Sequence, residues 1–241
     1  MNPKNIALLC GRQGSVSVRD KNIYPVLGRP MMVYPLLAAQ AATRIDEVYI
    51  STDSIRMQEV AREYKVSVIN RPSALATATS QHVDTLIHAL EYFRTEDLEL
   101  RFLIVLMCNC ATYPVGLIDR CINRLEGDPL ADSCVTGYIH NDHHPYRVKK
   151  MGEDGYLRTW MDLSFVSVST NRDDLPSCYI LDHAMWVLRV ATCFPPNGQK
   201  PWGFMGKNIL FEENSGSRDI HSMEDLQYTE AYLRNQGWDE P

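Results

Sequence analysis

Within its 241 residues the chain has no apolar run that approaches the 18 or more needed for a membrane-spanning helix. Its opening, MNPKNIALLC, holds an apolar stretch too short for a secretory signal. Those two absences predict a cytoplasmic protein with no membrane partner. There is also no surplus of positive charge: 24 Lys and Arg stand against 30 Asp and Glu, a net charge of −6. A general nucleic-acid binder would show the opposite balance, so no nucleic-acid partner is expected, and any bound anion must be met by a local cluster. Cysteine is present but unpatterned. The seven cysteines form no CxxC pair, which excludes a disulfide framework and zinc-finger spacing. Cys10, Cys121 and Cys134 fall in apolar runs and read as core, while Cys108-Asn109-Cys110 lacks the second pair a soft-metal site needs. No internal repeat and no low-complexity linker interrupts the chain. With 45% hydrophobic and 22% charged residues, it has the composition of an ordinary globular protein.

What the sequence does contain is alternation. Asn5 to Cys10, Glu47 to Ser51, Val66 to Ile69, Phe102 to Met107 and Asp132 to Gly137 read as strands. Between them, Met31 to Ala42, entered after Pro30, Ile55 to Tyr64, capped by Asp53 or Ser54, Gln81 to Phe93 and Leu117 to Leu125 read as helices. In the third helix Val83, Leu86, Ile87, Leu90 and Phe93 recur at helical spacing and cover one face. The run FLIVLM is apolar throughout, as a central parallel strand buried on both sides must be. Strands alternating with helices predict an α/β fold, a mostly parallel sheet with helices on both faces, whose ligands sit at the carboxyl ends of the strands. The alternation breaks between about residues 140 and 175, where polar and aromatic sequence surrounds a turn at Glu153-Asp154-Gly155 and reads as an appendage. Strand character returns from Tyr179 to Val190. A final helix, Ser222 to Asn235, opens with a Ser222-x-x-Asp225 capping box. Trp160, Trp186 and Trp202 read as core or subunit contacts.

The loop after the first strand carries the strongest chemical signal. Between Gly11 and Arg29 there are four basic residues and one acid in a chain that is acidic overall. Backbone N–H groups near Gly11 and Gly14, with Arg12, Arg19 and Lys21, suit a polyphosphate, because small residues let the main chain approach an anion and guanidinium groups grip it in a fork. The spacing is neither that of a Walker loop nor GxGxxG.

The full stretch Gly11-Arg12-Gln13-Gly14-Ser15-Val16-Ser17-Val18-Arg19-Asp20-Lys21-Asn22 resembles the opening motif of the acylneuraminate cytidylyltransferases, the CMP-sialic acid synthetase-like family of nucleotidyltransferases. Ile50-Ser51-Thr52-Asp53, Arg71-Pro72-Ser73-Ala74-Leu75-Ala76 and His143-His144-Pro145 follow in the family's order, so the similarity extends over nearly the whole chain. The resemblance implies one Rossmann-like nucleotidyltransferase domain over residues 1–241, with an appendage at about 140–175 for dimerisation and acceptor binding. It implies transfer of CMP from CTP to the anomeric hydroxyl of a nonulosonic, sialic-acid-like or related ulosonic acid, with release of pyrophosphate. Mg²⁺ would be the cofactor, and a homodimer the assembly. By motif position Arg12, Lys21 and Asp219 would be catalytic, with Asp219 also the metal ligand. Gly11, Arg12, Gln13, Gly14, Ser15, Lys21, Asn22, Arg71 and Asn109 would hold the nucleotide. His144, Arg147 and Asp182 would meet the acceptor.

The sequence departs from the family's pattern at three places. Val16 stands where the family has lysine, and Ser17 replaces a glycine. Asp219-Ile220-His221 keeps the first acid of the family's Asp-x-Asp and replaces the second by histidine, a poor ligand for Mg²⁺. Leu181-Asp182-His183 replaces an Asn-Gly segment. Two alternatives stay open: a guanylyl- or other nucleotidyltransferase acting on a sugar 1-phosphate, since nothing in the sequence by itself reads cytosine, and, from Val16 and His221, a nucleotide-binding homologue with impaired catalysis and a regulatory or assembly role.

Overall fold

The computed structural model describes residues 2–14, 18–214 and 216–239. At its centre lie β1 (Lys4–Cys10) and, later in the chain, Leu100–Met107, two strands whose near-continuous apolar sequence is buried on both faces. In chain order β1 is followed by a short hairpin, β2 (Pro25–Val26) and β3 (Arg29–Pro30), then α1 (Val33–Ala41), β4 (Glu47–Thr52), α2 (Ile55–Glu63), β5 (Ser67–Asn70), α3 (His82–Thr95), β6 (Leu100–Met107), α4 (Leu117–Gly127) and β7 (Ser133–Ile139). A small hairpin, β8 (Lys149–Met151) and β9 (Leu157–Thr159), precedes β10 (Tyr179–Arg189), β11 (Ile209–Glu213) and α5 (Met223–Asn235). Among the described residues no helix is long and apolar enough to cross a membrane.

Seven strands make one sheet in the order β11-β7-β10-β6-β1-β4-β5. All its neighbouring pairs are parallel except those of β10, which runs antiparallel between β6 and β7. The expected mostly parallel sheet is therefore present. Alternate side chains of β1 and β6 point to opposite faces. Ala7, Leu9, Ile104 and Leu106 pack with α1, α2 and α4 on one face, whereas Ile6, Leu8, Leu103 and Val105 pack with α3 and the Phe204–Met205 segment on the other. Helices thus cover both faces. The cysteines are packing residues, and Cys10, Cys121 and Cys134 are buried as expected. Cys108 and Cys110 join opposite clusters, which removes them as a metal pair.

Two local readings change. Pro30 does not open α1; it pairs with Pro25 in the β2–β3 hairpin, and the first-turn proline of the helix is Pro35. The edge strand β11 escaped the sequence reading because its residues are only partly buried and its pattern is short. Of the two offered caps for α2, Ser54 is the one that accepts the Met57 N–H, at 3.4 Å. The predicted capping box of α5 forms in full, with Ser222 and Asp225 each accepting the other's backbone N–H. Leu226 and Leu233 of this helix pack over Val26, Leu27 and Met31, so the C-terminal helix closes against the N-terminal hairpin.

Between β7 and β10 the chain leaves the sheet, as expected for the appendage. The β8–β9 hairpin turns through Gly155, which has φ 79°. Arg172 binds Asp142 at 2.9 Å, tying the base of this arm together, and Met151, Tyr156, Leu157, Trp160 and Phe165 are exposed along it. β10 carries a bulge, since its register against β7 shifts between Leu181 and Trp186. Beside it Gly137 is required by close approach: a Cβ there would lie 2.1 Å from the Ile180 carbonyl oxygen.

Gly137→Ala should lower unfolding free energy by about 2 kcal/mol or more, because backbone rather than a mobile side chain must shift. Gly127→Ala, at the open end of α4 with nothing within 4 Å of the added carbon, should be neutral or stabilising by up to about 1 kcal/mol. Urea unfolding of both variants checks the contrast, and equal effects would contradict it.

Candidate active site

Leaving β1 the chain runs to β4 and β5 on one side, while β6 returns on the other. Loops from the carboxyl ends of β1 and β6 therefore diverge, and the gap between them is the natural ligand crevice of such a sheet. A cavity of about 510 Å³ occupies it, lined by Cys10, Gly11, Arg12, Met107 and Asn109 from these strand ends. Gly11 is forced by crowding, since a Cβ would lie 2.3 Å from Met57 Cε and 2.9 Å from Cys108 Sγ. The Asn22 amide donates to the Arg12 carbonyl at 3.0 Å and clamps the loop's two ends. Asp53 accepts the Gln13 N–H at 2.8 Å, which gives the Ser-Thr-Asp segment a part in holding the same loop. Gly11, Arg12, Lys21, Asn22, Arg71 and Asn109 all line the cavity. Gln13 is exposed and Gly14 takes a left-handed φ of 77°; neither side of this turn is part of the lining. Ser15, Val16 and Ser17 lie outside the described residues.

Asp219 is the only acid among the described residues lining the cavity. An isolated bridge between Cys110 and Asp219 brings the acid to the end of β6. The Asn109 amide donates to its Oδ1, and His221 Nε2 lies 3.1 Å from Oδ2. Lys21 stands beside it, its ammonium donating to the Ile220 carbonyl at 2.8 Å. Burial pushes the Asp219 carboxyl above the usual carboxylate range, opposed by the charges of Lys21, His221 and His183. The same burial lowers the Lys21 ammonium, opposed by Asp219. Asp225 is not part of the lining; its Oδ2 accepts from the N–H groups of His221 and Ser222 at 2.9 and 2.8 Å, and its Oδ1 lies 3.7 Å from Arg218. Arg71 is buried and donates to the Ser51 carbonyl at 2.6 Å and to Ser51 Oγ at 3.1 Å, which fixes one edge of its guanidinium to β4.

The third wall contains residues that sequence reasoning did not assign to a site. His82 and Thr85 of α3 and Ser80 and Gln81 before them face the crevice. So do Trp186 and Trp202: Trp186 is buried in the core as expected, Trp202 packs against the same cluster, and both line the crevice, whereas Trp160 is exposed on the arm. His183 sits within the β10 bulge at φ 55°, a conformation that sends its ring out of the strand's alternation and into the cavity. There it lies 4.7 Å from the Trp202 ring, and His82 approaches Trp186 edge-on at 5.3 Å. Only the replacement of Asn-Gly by Asp182-His183 hinted at this placement.

Asp182 itself turns the other way. Its carboxylate accepts from Thr136 Oγ1 at 2.6 Å, the Ala184 N–H at 2.9 Å and Asn214 Nδ2 at 2.8 Å. It holds the bulge rather than facing the cavity, because a buried acid is stable only when such donors surround it. His144 and Arg147 also stand apart from the crevice. His144 Nδ1 accepts the Tyr146 N–H, and Arg147 donates to the Thr170 carbonyl within the arm. The structure thus gathers Arg12, Lys21, Arg71, Asn109 and Asp219, and leaves all three acceptor candidates outside this chain's cavity.

Burial lowers His183 below 6.5, opposed by Asp182 and Asp219, and lowers His82 likewise with help from Arg71 and His183. Each imidazole is held neutral in the folded chain at pH values where the unfolded chain takes a proton. Stability contributed by this pair is present above pH 6.5 and is lost as pH falls toward the folded-state values. His82→Gln combined with His183→Gln should flatten the decline of urea midpoint between about pH 7 and about pH 5; an unchanged slope would contradict it.

A family model described as Cytidylyltransferase matches residues 6–107, the segment that supplies β1, its loop, Arg71 and β6. The chain is 30% identical over 93 residues to an N-acylneuraminate cytidylyltransferase of Escherichia coli O18:K1:H7, covering 39% of this chain and 22% of that protein. It is 32% identical over 186 residues to the N-acylneuraminate cytidylyltransferase of Streptococcus agalactiae serotype V, covering 76% of this chain and 43% of that one. The chain therefore spans less than half the length of these two relatives. Among solved structures, CMP:2-keto-3-deoxy-manno-octonic acid synthetase complexed with CTP superposes with a TM-score of 0.68 at 15% identity, over 97% of this chain and 99% of that one. That likeness establishes a shared fold. With the motif-bearing loop at the switch point, the chain is similar over residues 6–107 to the cytidylyltransferase family and over about three quarters of its length to an N-acylneuraminate cytidylyltransferase.

Proposed function

We propose that this protein transfers CMP from CTP to the anomeric hydroxyl of a nonulosonic or related ulosonic acid. The observation that carries the reading is the convergence of Arg12, Lys21 and Arg71 with the lone acid Asp219 around one cavity at the switch point. In the reaction the hydroxyl oxygen forms a bond to the α-phosphorus, the bond from that phosphorus to the bridging oxygen breaks, and pyrophosphate leaves. Such chemistry is limited by in-line positioning and by charge on the phosphate oxygens. Arg12 and Lys21 lie where a triphosphate entering along the loop would place that charge, and the partly dehydrated cavity strengthens their attraction. Asn22 and Asp53 keep the loop in the geometry that receives it. The Trp202 and His183 rings offer a flat wall for the ring of the acceptor or the base.

A divalent cation, Mg²⁺ by the family resemblance, would neutralise charge on the non-bridging oxygens. For such an ion this chain supplies one carboxylate, Asp219, with the Asn109 amide beside it, and an imidazole, His221, where a second oxygen would suit Mg²⁺ better. The proposed assembly is a homodimer. Support comes from the arm, where Phe165 is 96% exposed and neighbouring apolar side chains have no cover, an arrangement typical of a protein interface. His144 and Arg147 on that arm would then meet the acceptor in the partner's cavity. A cytoplasmic setting agrees with the need for CTP.

Thermal unfolding with CTP, GTP, UTP and ATP tests the nucleotide. CTP at about 100 times its dissociation constant should add about 2.7 kcal/mol, a rise of several degrees, while the other three give little; a rise with GTP alone would move the reading to a guanylyltransferase, and no rise with any nucleotide would overturn it. Lys21→Ala should lower the turnover of pyrophosphate release by about ten- to a thousandfold, and unchanged turnover would remove Lys21 from the chemistry.

A further inference from the structure

The acid-and-imidazole pair at the cavity floor is not the donor set that Mg²⁺ prefers. Asp219 Oδ2 and His221 Nε2 are 3.1 Å apart. Adjacent ligands of an octahedral ion with bonds of about 2.1 Å lie about 3.0 Å apart, the bond length multiplied by √2. The two atoms therefore already have the spacing of neighbouring ligands on one cation. Asn109 stands on the other oxygen of Asp219, and a half-turn of its amide presents an oxygen to the same region. Among the described residues that line the cavity Asp219 is the single carboxylate, so they assemble no all-oxygen carboxylate set. Asp225 is held by the N–H groups of His221 and Ser222 and by the Ser222 hydroxyl, and Asp182 by Thr136, Ala184 and Asn214. Among the described residues no group of three His, Cys, Asp or Glu side chains assembles a metal cage, so an ion here would rest on two side-chain donors and on phosphate oxygens.

From this donor set we infer that the protein takes an octahedral transition-metal cation, Mn²⁺ or Co²⁺, in preference to Mg²⁺, with Asp219 and His221 as adjacent ligands. The physical reason is ligand softness. Mg²⁺ is hard and dehydrates reluctantly, so a nitrogen ligand gains it little, whereas an imidazole nitrogen binds first-row transition ions better than it binds Mg²⁺. The capping box supports the pair mechanically. Asp225 accepts the His221 backbone N–H, so the histidine is carried by the first turn of α5 rather than by a free loop. Its side chain is 70% exposed, which leaves Nε2 reachable by an incoming ion. The inference rests on the nucleotide-transfer reading for its purpose, but the ion site itself is testable without nucleotide.

The experiment is a titration of Mn²⁺ into the nucleotide-free full chain, read by the electron paramagnetic resonance of the free aquo ion, with Mg²⁺ as competitor. A spin-echo measurement on the bound ion detects a directly coordinated nitrogen. The wild type should need about tenfold or more Mg²⁺ over Mn²⁺ for half displacement and should show imidazole nitrogen coupling. His221→Ala should lose the coupling and weaken Mn²⁺ about tenfold, and His221→Asp should lose the coupling while bringing the two metals to within about threefold of each other. Because His221 is exposed, both variants should keep the wild-type unfolding midpoint, which verifies that the loss is local. Equal displacement by the two metals, or no nitrogen coupling in the wild type, would overturn the inference. A nitrogen-coupled Mn²⁺ site in a chain that fails to bind CTP would overturn the nucleotide reading alone, and CTP binding without nitrogen coupling would overturn the metal assignment alone.

Discussion

The parallel pairing of β1 with β6 is the constraint on which the rest of the molecule depends. Two strands apolar along almost their whole length can be buried only at the centre of a sheet, and a parallel pair must be connected by crossovers that carry helices over the faces. Because the chain then goes one way from β1 and comes back on its other side, the loops at Gly11 and Asn109 part from each other. The crevice is a consequence of winding. It exists before any ligand is considered, and Gly11 keeps it open by letting the main chain pass against Met57 and Cys108.

Electrostatics then give the crevice its character. A net-negative chain concentrates Arg12, Lys21 and Arg71 there against a single lining acid. Burial raises the Asp219 carboxyl and lowers the Lys21 ammonium, and each partly compensates the other. An anion with several negative oxygens would complete that unbalanced arrangement. The neutral histidines on the opposite wall add hydrogen-bonding surface without adding repulsion between cations. Burial lowers the titration of both imidazoles, so that wall responds to pH.

Distant parts of the chain hold the floor in place. The N-terminal loop, the end of β6 and the entry to α5 meet through Lys21 to Ile220, Asn109 to Asp219 and the Asp225 cap. Since α5 packs its leucines on the β2–β3 hairpin, the helix that carries His221 is anchored to the segment that carries Lys21. The arm contributes nothing to this cavity from within the same chain. Its apolar residues Met151, Tyr156, Leu157, Trp160 and Phe165 are exposed, the feature that supports the proposed assembly.

The apolar periodicities of the sequence sufficed for the class of the fold, for nearly all the long elements and for the Ser222–Asp225 cap, because burial on a strand or helix face is a local pattern. The site residues Arg12, Lys21, Asn22, Arg71 and Asp219 were legible as a set through the resemblance to the family's motifs, and Asn109 through its place at the end of an apolar strand. Local pattern could not show that β10 runs antiparallel between β6 and β7, or that β11 adds an edge, since pairing partners are far apart in the chain. Nor could it separate Asp182 from His183. One residue turns inward to Thr136 and Asn214 and the next into the cavity because of a bulge whose left-handed backbone is set by the strand alongside. The sequence by itself determined which residue types were available for chemistry. Tertiary structure alone decided which of them share a cavity, because the contacts that set Asp219 beside Lys21 and Asn109 and turn Asp182 toward Thr136 and Asn214 join segments far apart in the chain.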